Sequence, residues 1–302
     1  MPQAAPPGAL SETPPQPPRN GDADEKPAGA VGTLKTLAFI VAIQVLALVM
    51  THVNAPAVQA SGYQYNPAGT SSGGSIANVL ILVIAVFAST LAAVWLVRQR
   101  RVKVFQIVVF LGSALAIFLL TLLGSIDLTA PYLDAYTSLY LSLALASATV
   151  VILALVTLRR IPSWFALILT GLLSAEVGSY FASTIPILTA LLLPLAFSVY
   201  DIYTVFRGPL KTLVATLPVE TFSAISSKIG DFSIGTGDTV FYAMVPALAY
   251  YQFAVSSAFV ALVAVDVGVV ITLYLLSKAK LLPGLPIPMF LGIAALLAFY
   301  FG

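Results

Sequence analysis

The stretch Phe232-Ser233-Ile234-Gly235-Thr236-Gly237-Asp238-Thr239-Val240-Phe241-Tyr242 opens an apolar run and sets a carboxylate about six residues inside it. An acid within a membrane span is costly to insert and is a functional candidate by default. One apolar run earlier, Val199-Tyr200-Asp201-Ile202 places a second acid close to that run's end. Whether these two acids meet decides how the chain is read.

Composition sets the solvent. Hydrophobic residues make up 59% of the 302 and charged residues only 9%, where soluble domains carry about 25% charged residues. Mean hydropathy is +0.99. The reading is an all-α integral membrane protein, multi-pass in the cell membrane, whose first partner is the lipid bilayer. A net charge of +2 leaves no electrostatic footprint for nucleic acid. The chain has no cysteine and one histidine, His52. That excludes thiol catalysis and argues against a histidine metal site or a Ser-His triad within one chain, so no metal and no cofactor are expected.

Residues 1–32 are rich in Pro, Gly, Ala and charge and read as a disordered tail. Nine apolar runs long enough to span follow, at 33–53, 76–97, 102–123, 136–158, 163–184, 187–206, 232–250, 253–276 and 283–301. The first has a rival reading as a signal peptide, with small residues Ala55-Pro56-Ala57 after it. Lys35 can snorkel and lengthen the span, which favours a retained helix. Spans one to five, within 33–184, form one helix group. Residues 185–302 form a catalytic group, interrupted by a short cytoplasmic loop at 207–231.

Charge placement gives the orientation. All 14 Lys and Arg residues fall in the tail or in the second, fourth, sixth and eighth loops, which share one side. The other loops hold none, and the third holds Asp127 and Asp134. The positive-inside rule then puts the N-terminus in the cytoplasm and the C-terminus outside. A miscounted span would scatter the charges across both sides.

Four acids fall within the spans: Glu176, Asp201, Asp238 and Asp266. Asp201 and Asp238 lie on antiparallel neighbours, each about 8 Å below the cytoplasmic surface at 1.5 Å rise per residue. A bland alternative is that each acid only bonds a neighbouring helix. Matched depth argues against that for this pair, as do Gly235 and Gly237, which let another backbone come close and weaken a helix start. Two close carboxylates in low dielectric share a proton. The charged member can take a proton from water while the neutral one donates to a carbonyl oxygen. Glu176 and Asp266 read as structural acids bonded to Ser or Thr on a neighbour, His52 as interfacial, and Trp95 and Trp164 as interface anchors.

These motifs resemble the presenilin and signal-peptide-peptidase group of intramembrane aspartyl proteases. Tyr200-Asp201 with Gly208-Pro209-Leu210 beyond it is similar to the family's sixth-helix motif. Gly235-Thr236-Gly237-Asp238 matches its GxGD, and Pro283-Gly284-Leu285-Pro286 stands where the family has Pro-Ala-Leu-Pro. The resemblance implies that Asp201 and Asp238 are catalytic. It also implies that Tyr200, Gly235, Thr236, Gly237, Pro283, Gly284, Leu285 and Pro286 support the site or the substrate. The prolines, denied regular helix bonding, would leave an extended edge for an unwound substrate. Gly284 departs from the family's alanine. Pro246-Ala247-Leu248 lies too far along its span to serve and reads as a proline kink.

The orientation matches presenilin-like members, which act on the transmembrane helix of single-pass proteins whose N-terminus is outside. Compact loops suggest a prokaryotic, archaeal source, and the short sixth loop makes self-cleavage doubtful. The expected function is therefore aspartic endopeptidase activity of the GxGD type. An ion- or proton-coupled transporter is the alternative, because acids near glycines and prolines also describe transport sites. That reading would need Glu176 or Asp266 as much as the pair.

Overall fold

A computed structural model describes residues 30–99, 101–158, 160–162, 164–208, 226–229, 232–278 and 282–301. Among the described residues the chain forms nine α-helices. They are α1 (Ala30–Ser61), α2 (Ser72–Arg98), α3 (Val102–Thr129), α4 (Ala135–Thr157), α5 (Trp164–Thr184), α6 (Ile187–Phe206), α7 (Thr236–Gln252), α8 (Val255–Leu276) and α9 (Pro286–Phe301). Seven of these, α1 to α6 and α8, are long and apolar enough to cross a membrane. The protein is a multi-pass membrane protein.

The first three helices run longer than their expected spans, and two later ones start late in the same way. Apolar residues begin at 232 and 283, yet helix begins only at Thr236 and Pro286. Phe232–Gly235 is instead a strand, β2, paired antiparallel with β1, Ser226–Ile229, in the register Ser226↔Gly235 and Ile229↔Phe232. The fold is thus helical with one short hairpin rather than wholly α. Ile229 and Ile234 are buried and belong to the main core, which anchors the hairpin to the helices.

That core runs through α1, α5, α6, α7, α8 and α9, and joins helices from both sides of the division at residue 184. Lipid tails are as apolar as leucine, so burial alone does not hold membrane helices together; close packing of small residues does. Ala175, Ala182, Ala243, Ala247 and Ala249 are all fully buried where α5, α7 and their neighbours meet. At Gly178 of α5 a Cβ would sit 2.8 Å from the Ala243 Cβ and 2.9 Å from the Met244 nitrogen of α7. At Gly268 of α8 it would sit 2.4 Å from the Pro288 Cα of α9. These two glycines set how closely α7 and α9 approach their partners.

Helix ends follow local chemistry. Asp134 caps α4, accepting from the Thr137 amide at 3.0 Å and the Thr137 hydroxyl at 2.7 Å. Those two bonds hold its carboxyl below the usual carboxylate range. The first helix is not a loose appendage: Ile40, Ile43, Gln44 and Ala47 are buried against the body, and the Thr51 hydroxyl donates to the Ser179 hydroxyl of α5 at 2.9 Å. Residues 1–29 of the expected tail, Pro209, Leu210 and Lys211 of the sixth loop, and residues 279–281 lie outside the described residues. So does most of the segment on which the self-cleavage expectation rests.

Gly268→Ala should lower the thermal unfolding midpoint in detergent, at a cost of about 1–3 kcal/mol for forcing a methyl against backbone. Gly112→Ala, with open space where its Cβ would go, should leave the midpoint level or raise it. Equal midpoints for the two variants would contradict the α8–α9 contact.

Candidate active site

Helix α6 delivers the first acid. Asp201 lies five residues before its last residue, Phe206, and is partly exposed. One turn earlier, Phe197 packs on Phe241 of α7 with ring centroids 5.0 Å apart. That aromatic contact fixes the α6 face on which Asp201 also lies, since residues four apart share a face. The Asp201 Oδ2 accepts a hydrogen bond from the Leu285 amide at 3.1 Å.

Helix α7 delivers the second. Asp238 sits in the first turn rather than a full turn deeper, because the helix starts at Thr236 directly after β2. A Cβ on Gly284 would lie 2.7 Å from the Asp238 Oδ2. Gly284 thus lies against Asp238 while the backbone of both 284 and 285 reaches Asp201, and the two carboxyl groups are close enough to sense each other's charge.

The segment Pro283-Gly284-Leu285 is not helical; α9 begins at Pro286, where a proline loses no helix bond. Pro283, Leu285 and Pro286 are buried. Backbone groups of the segment are already engaged: the Leu285 and Gly284 amides on Asp201, and the Gly284 carbonyl, which accepts from the Tyr242 hydroxyl at 2.9 Å. The segment thus binds the acid pair directly and does not offer those groups as a free edge. Glycine at 284 has a local reason. An alanine methyl would collide with Asp238, so the departure from Pro-Ala-Leu-Pro matches the closeness of that carboxyl.

Other expected residues fall as follows. Tyr200 faces α2: its hydroxyl shares a 2.8 Å hydrogen bond with the Thr90 hydroxyl, and its ring meets Phe87 and Phe197 edge-on. It fixes α6 to α2 rather than touching the acids. Gly235 caps α7, with its would-be Cβ 3.6 Å from the Asp238 Oδ2. Gly237 is exposed, with nothing near its missing side chain. Thr236 has a buried hydroxyl without a hydrogen-bond partner, while its carbonyl accepts from Thr239 at 2.9 Å. Thr239 in turn meets Ser174 of α5 at 2.7 Å.

Neither remaining acid joins the site. Asp266 lies beside Gln44 of α1, an amide instead of the expected Ser or Thr. Glu176 lies in α5 beside Thr121 of α3, a threonine on a neighbouring helix as expected, and its Oε2 has no partner among the described residues. His52 is exposed and shares a 2.7 Å hydrogen bond with the Tyr250 hydroxyl. Pro246-Ala247-Leu248 is buried within α7, two turns past Asp238, and plays no part in the site. Among the described residues no group of three or more His, Cys, Asp or Glu side chains could hold a metal. Tyr242 and the Phe197–Phe241 pair are the contributors that sequence reasoning missed. Tyr242 lies one turn after Asp238 on the same face, and that spacing was the available signal.

No protein-family model and no curated protein matches this chain. Its structure is similar to solved structures of a presenilin family intramembrane aspartate protease in two crystal forms. The C222 form gives a TM-score of 0.62 at 24% identity, covering 88% of this chain and 97% of that one. The P2 form gives 0.61 at 24% identity, covering 88% and 96%. The chain has that fold.

Tyr242→Phe should destabilise the protein by about 1–3 kcal/mol, because the Gly284 carbonyl loses a buried partner. Thermal unfolding reads this, and an unchanged midpoint would mean the hydroxyl does not hold the segment.

Proposed function

We propose that the protein is an intramembrane aspartyl protease of the GxGD type, hydrolysing peptide bonds in transmembrane segments of single-pass proteins. One observation carries the reading: Asp201 and Asp238, 37 positions apart in sequence, converge on the backbone of residues 284 and 285. The fold shared with a presenilin family intramembrane aspartate protease supports it.

The chemistry needs only these groups and water. One carboxylate takes a proton from water as the water oxygen bonds to the peptide carbonyl carbon. The protonated partner donates to the carbonyl oxygen. The C–N bond then breaks as the first carboxyl passes its proton to the amine nitrogen, and a hydroxyl of the intermediate returns its proton to the partner carboxylate as the carbonyl re-forms, so the pair ends with one proton as it began. Asp201 is held by the Leu285 amide, and Asp238 is set by the first turn of α7.

Substrate must reach the pair as extended chain, because a helical peptide bond is shielded by its own hydrogen bonds. The strand β2 ends at Gly235, three residues before Asp238, and a strand beside the site is a natural template for an extended segment. Helices α6 to α9 and the hairpin form the catalytic group, and α1 to α5 support it. The N-terminus lies in the cytoplasm and the C-terminus outside, so cleavage falls near the cytoplasmic face of substrates with an external N-terminus. The transporter alternative has less support, since Glu176 and Asp266 stand apart from the pair.

Purified protein should cleave a labelled single-pass substrate in detergent. Asp201→Asn and Asp238→Asn should each abolish product while unfolding at a normal midpoint, and Asp266→Asn should still cleave. Cleavage surviving either of the first two would remove that residue from the mechanism. Gly284→Ala, which pushes on Asp238, should cut the rate by about 10- to 100-fold, the scale of a small misplacement of a reacting group. A wild-type rate in that variant would contradict the close contact.

A further inference from the structure

The end of the molecule away from the aspartates holds a second set of acids. Helices α1, α3 and α5 enclose a cavity of about 250 Å³ lined by Asn54, Tyr63, Asp127, Glu176, Tyr180 and Thr184, among others. Asp201 lies 14 residues along α6 from its start, about 21 Å at helical rise, whereas the cavity reaches Thr184 at the other end. It is therefore separate from the proteolytic pair.

Two of its walls present oxygen atoms with nothing bonded to them. Glu176 is 7% exposed, and its Oε2 is buried without a hydrogen-bond partner. Asn54 is 9% exposed, and its side-chain oxygen is likewise buried and unpartnered. Gly124 faces the same carboxyl, with its would-be Cβ 3.8 Å from the Glu176 Oε1, and Asp127 follows one turn later on that side of α3. Tyr180 and Tyr63 line the cavity beside them. No Lys, Arg or His lines the cavity, and the loops at this end of the molecule contain no Lys or Arg.

We propose that this cavity binds a hard cation through the carboxyl groups of Glu176 and Asp127 and the amide oxygen of Asn54. The polar donors are all oxygen, which suits calcium, magnesium or sodium and not a transition metal. Two carboxylates balance a divalent charge. Ligands spread over three separate helices adapt to calcium's flexible geometry better than to magnesium's strict octahedron. Bound there, the ion would tie α1, α3 and α5 together.

The test uses the full chain in the Asp201→Asn/Asp238→Asn background, so that the proteolytic pair cannot bind the ion. After chelator treatment, the unfolding midpoint is followed against calcium, magnesium or sodium chloride, with ionic strength held constant by choline chloride. A saturable rise is expected, largest for calcium. Glu176→Gln should abolish it, and Asp127→Asn should raise the half-saturating concentration roughly tenfold by removing one ligand charge. A saturable rise with sodium alone, lost in Glu176→Gln, would assign the site to a monovalent ion. Should Glu176→Gln fail to fold, Asp127→Asn gives the same readout from the partly exposed wall. No saturable shift with any of the three salts, or a shift undiminished by these substitutions, would overturn the proposal.

Discussion

The hydrogen bond from the Leu285 amide to Asp201 is the interaction on which the site depends. Backbone that is not helical cannot stand unsatisfied at membrane depth, and irregular chain is tolerated there only when buried in protein or lining a wet cavity. This protein has two such stretches, 232–235 and 283–285, where apolar runs fail to become helix. Both end beside the aspartates. The strand meets its own hairpin partner, and the proline segment meets Asp201 and Tyr242. The acids that would do chemistry thus also make the broken helix possible.

The same constraint ties stability to position. Asp201 is held by an amide from before α9, Asp238 by the start of α7, and Tyr242 links α7 back to the segment. Phe197 against Phe241 keeps α6 and α7 in register, and Gly268 lets α9 lie close to α8. Buried alanines and Gly178 seat α7 on α5 behind the site. Packing of small residues here does the work that hydrophobic burial does in water.

Much of this was legible in the sequence. The sixth span, 187–206, coincides with α6, and the fifth and eighth fall within two residues of their helices. The matched depth of Asp201 and Asp238 pointed to a shared place, and their convergence on residues 284 and 285 has that form. What periodicity could not separate was the strand at 232–235 from a helix start, because a short apolar run fits either. The strand pair depends on partners three to nine positions earlier and on burial of Ile229 and Ile234, which no apolar periodicity reports. Tyr200 entered as a site residue through the resemblance to the family's Tyr-Asp motif, and in the structure its hydroxyl bonds Thr90. In the sequence Gly284 was only a departure from the alanine of Pro-Ala-Leu-Pro; the nearness of Asp238 gives it a steric reason.

The chain has no cysteine, so introduced thiols report proximity without interference. The most direct measurement is bridging of an Asp201→Cys/Asp238→Cys variant with a short bis-thiol reagent, after a protease site is inserted between 207 and 231. The account predicts that the two halves stay joined in denaturing gels after cutting, while the Asp201→Cys/Asp266→Cys variant falls apart. Separation of the first variant's halves would contradict the meeting of the two aspartates, and with it the proposed chemistry.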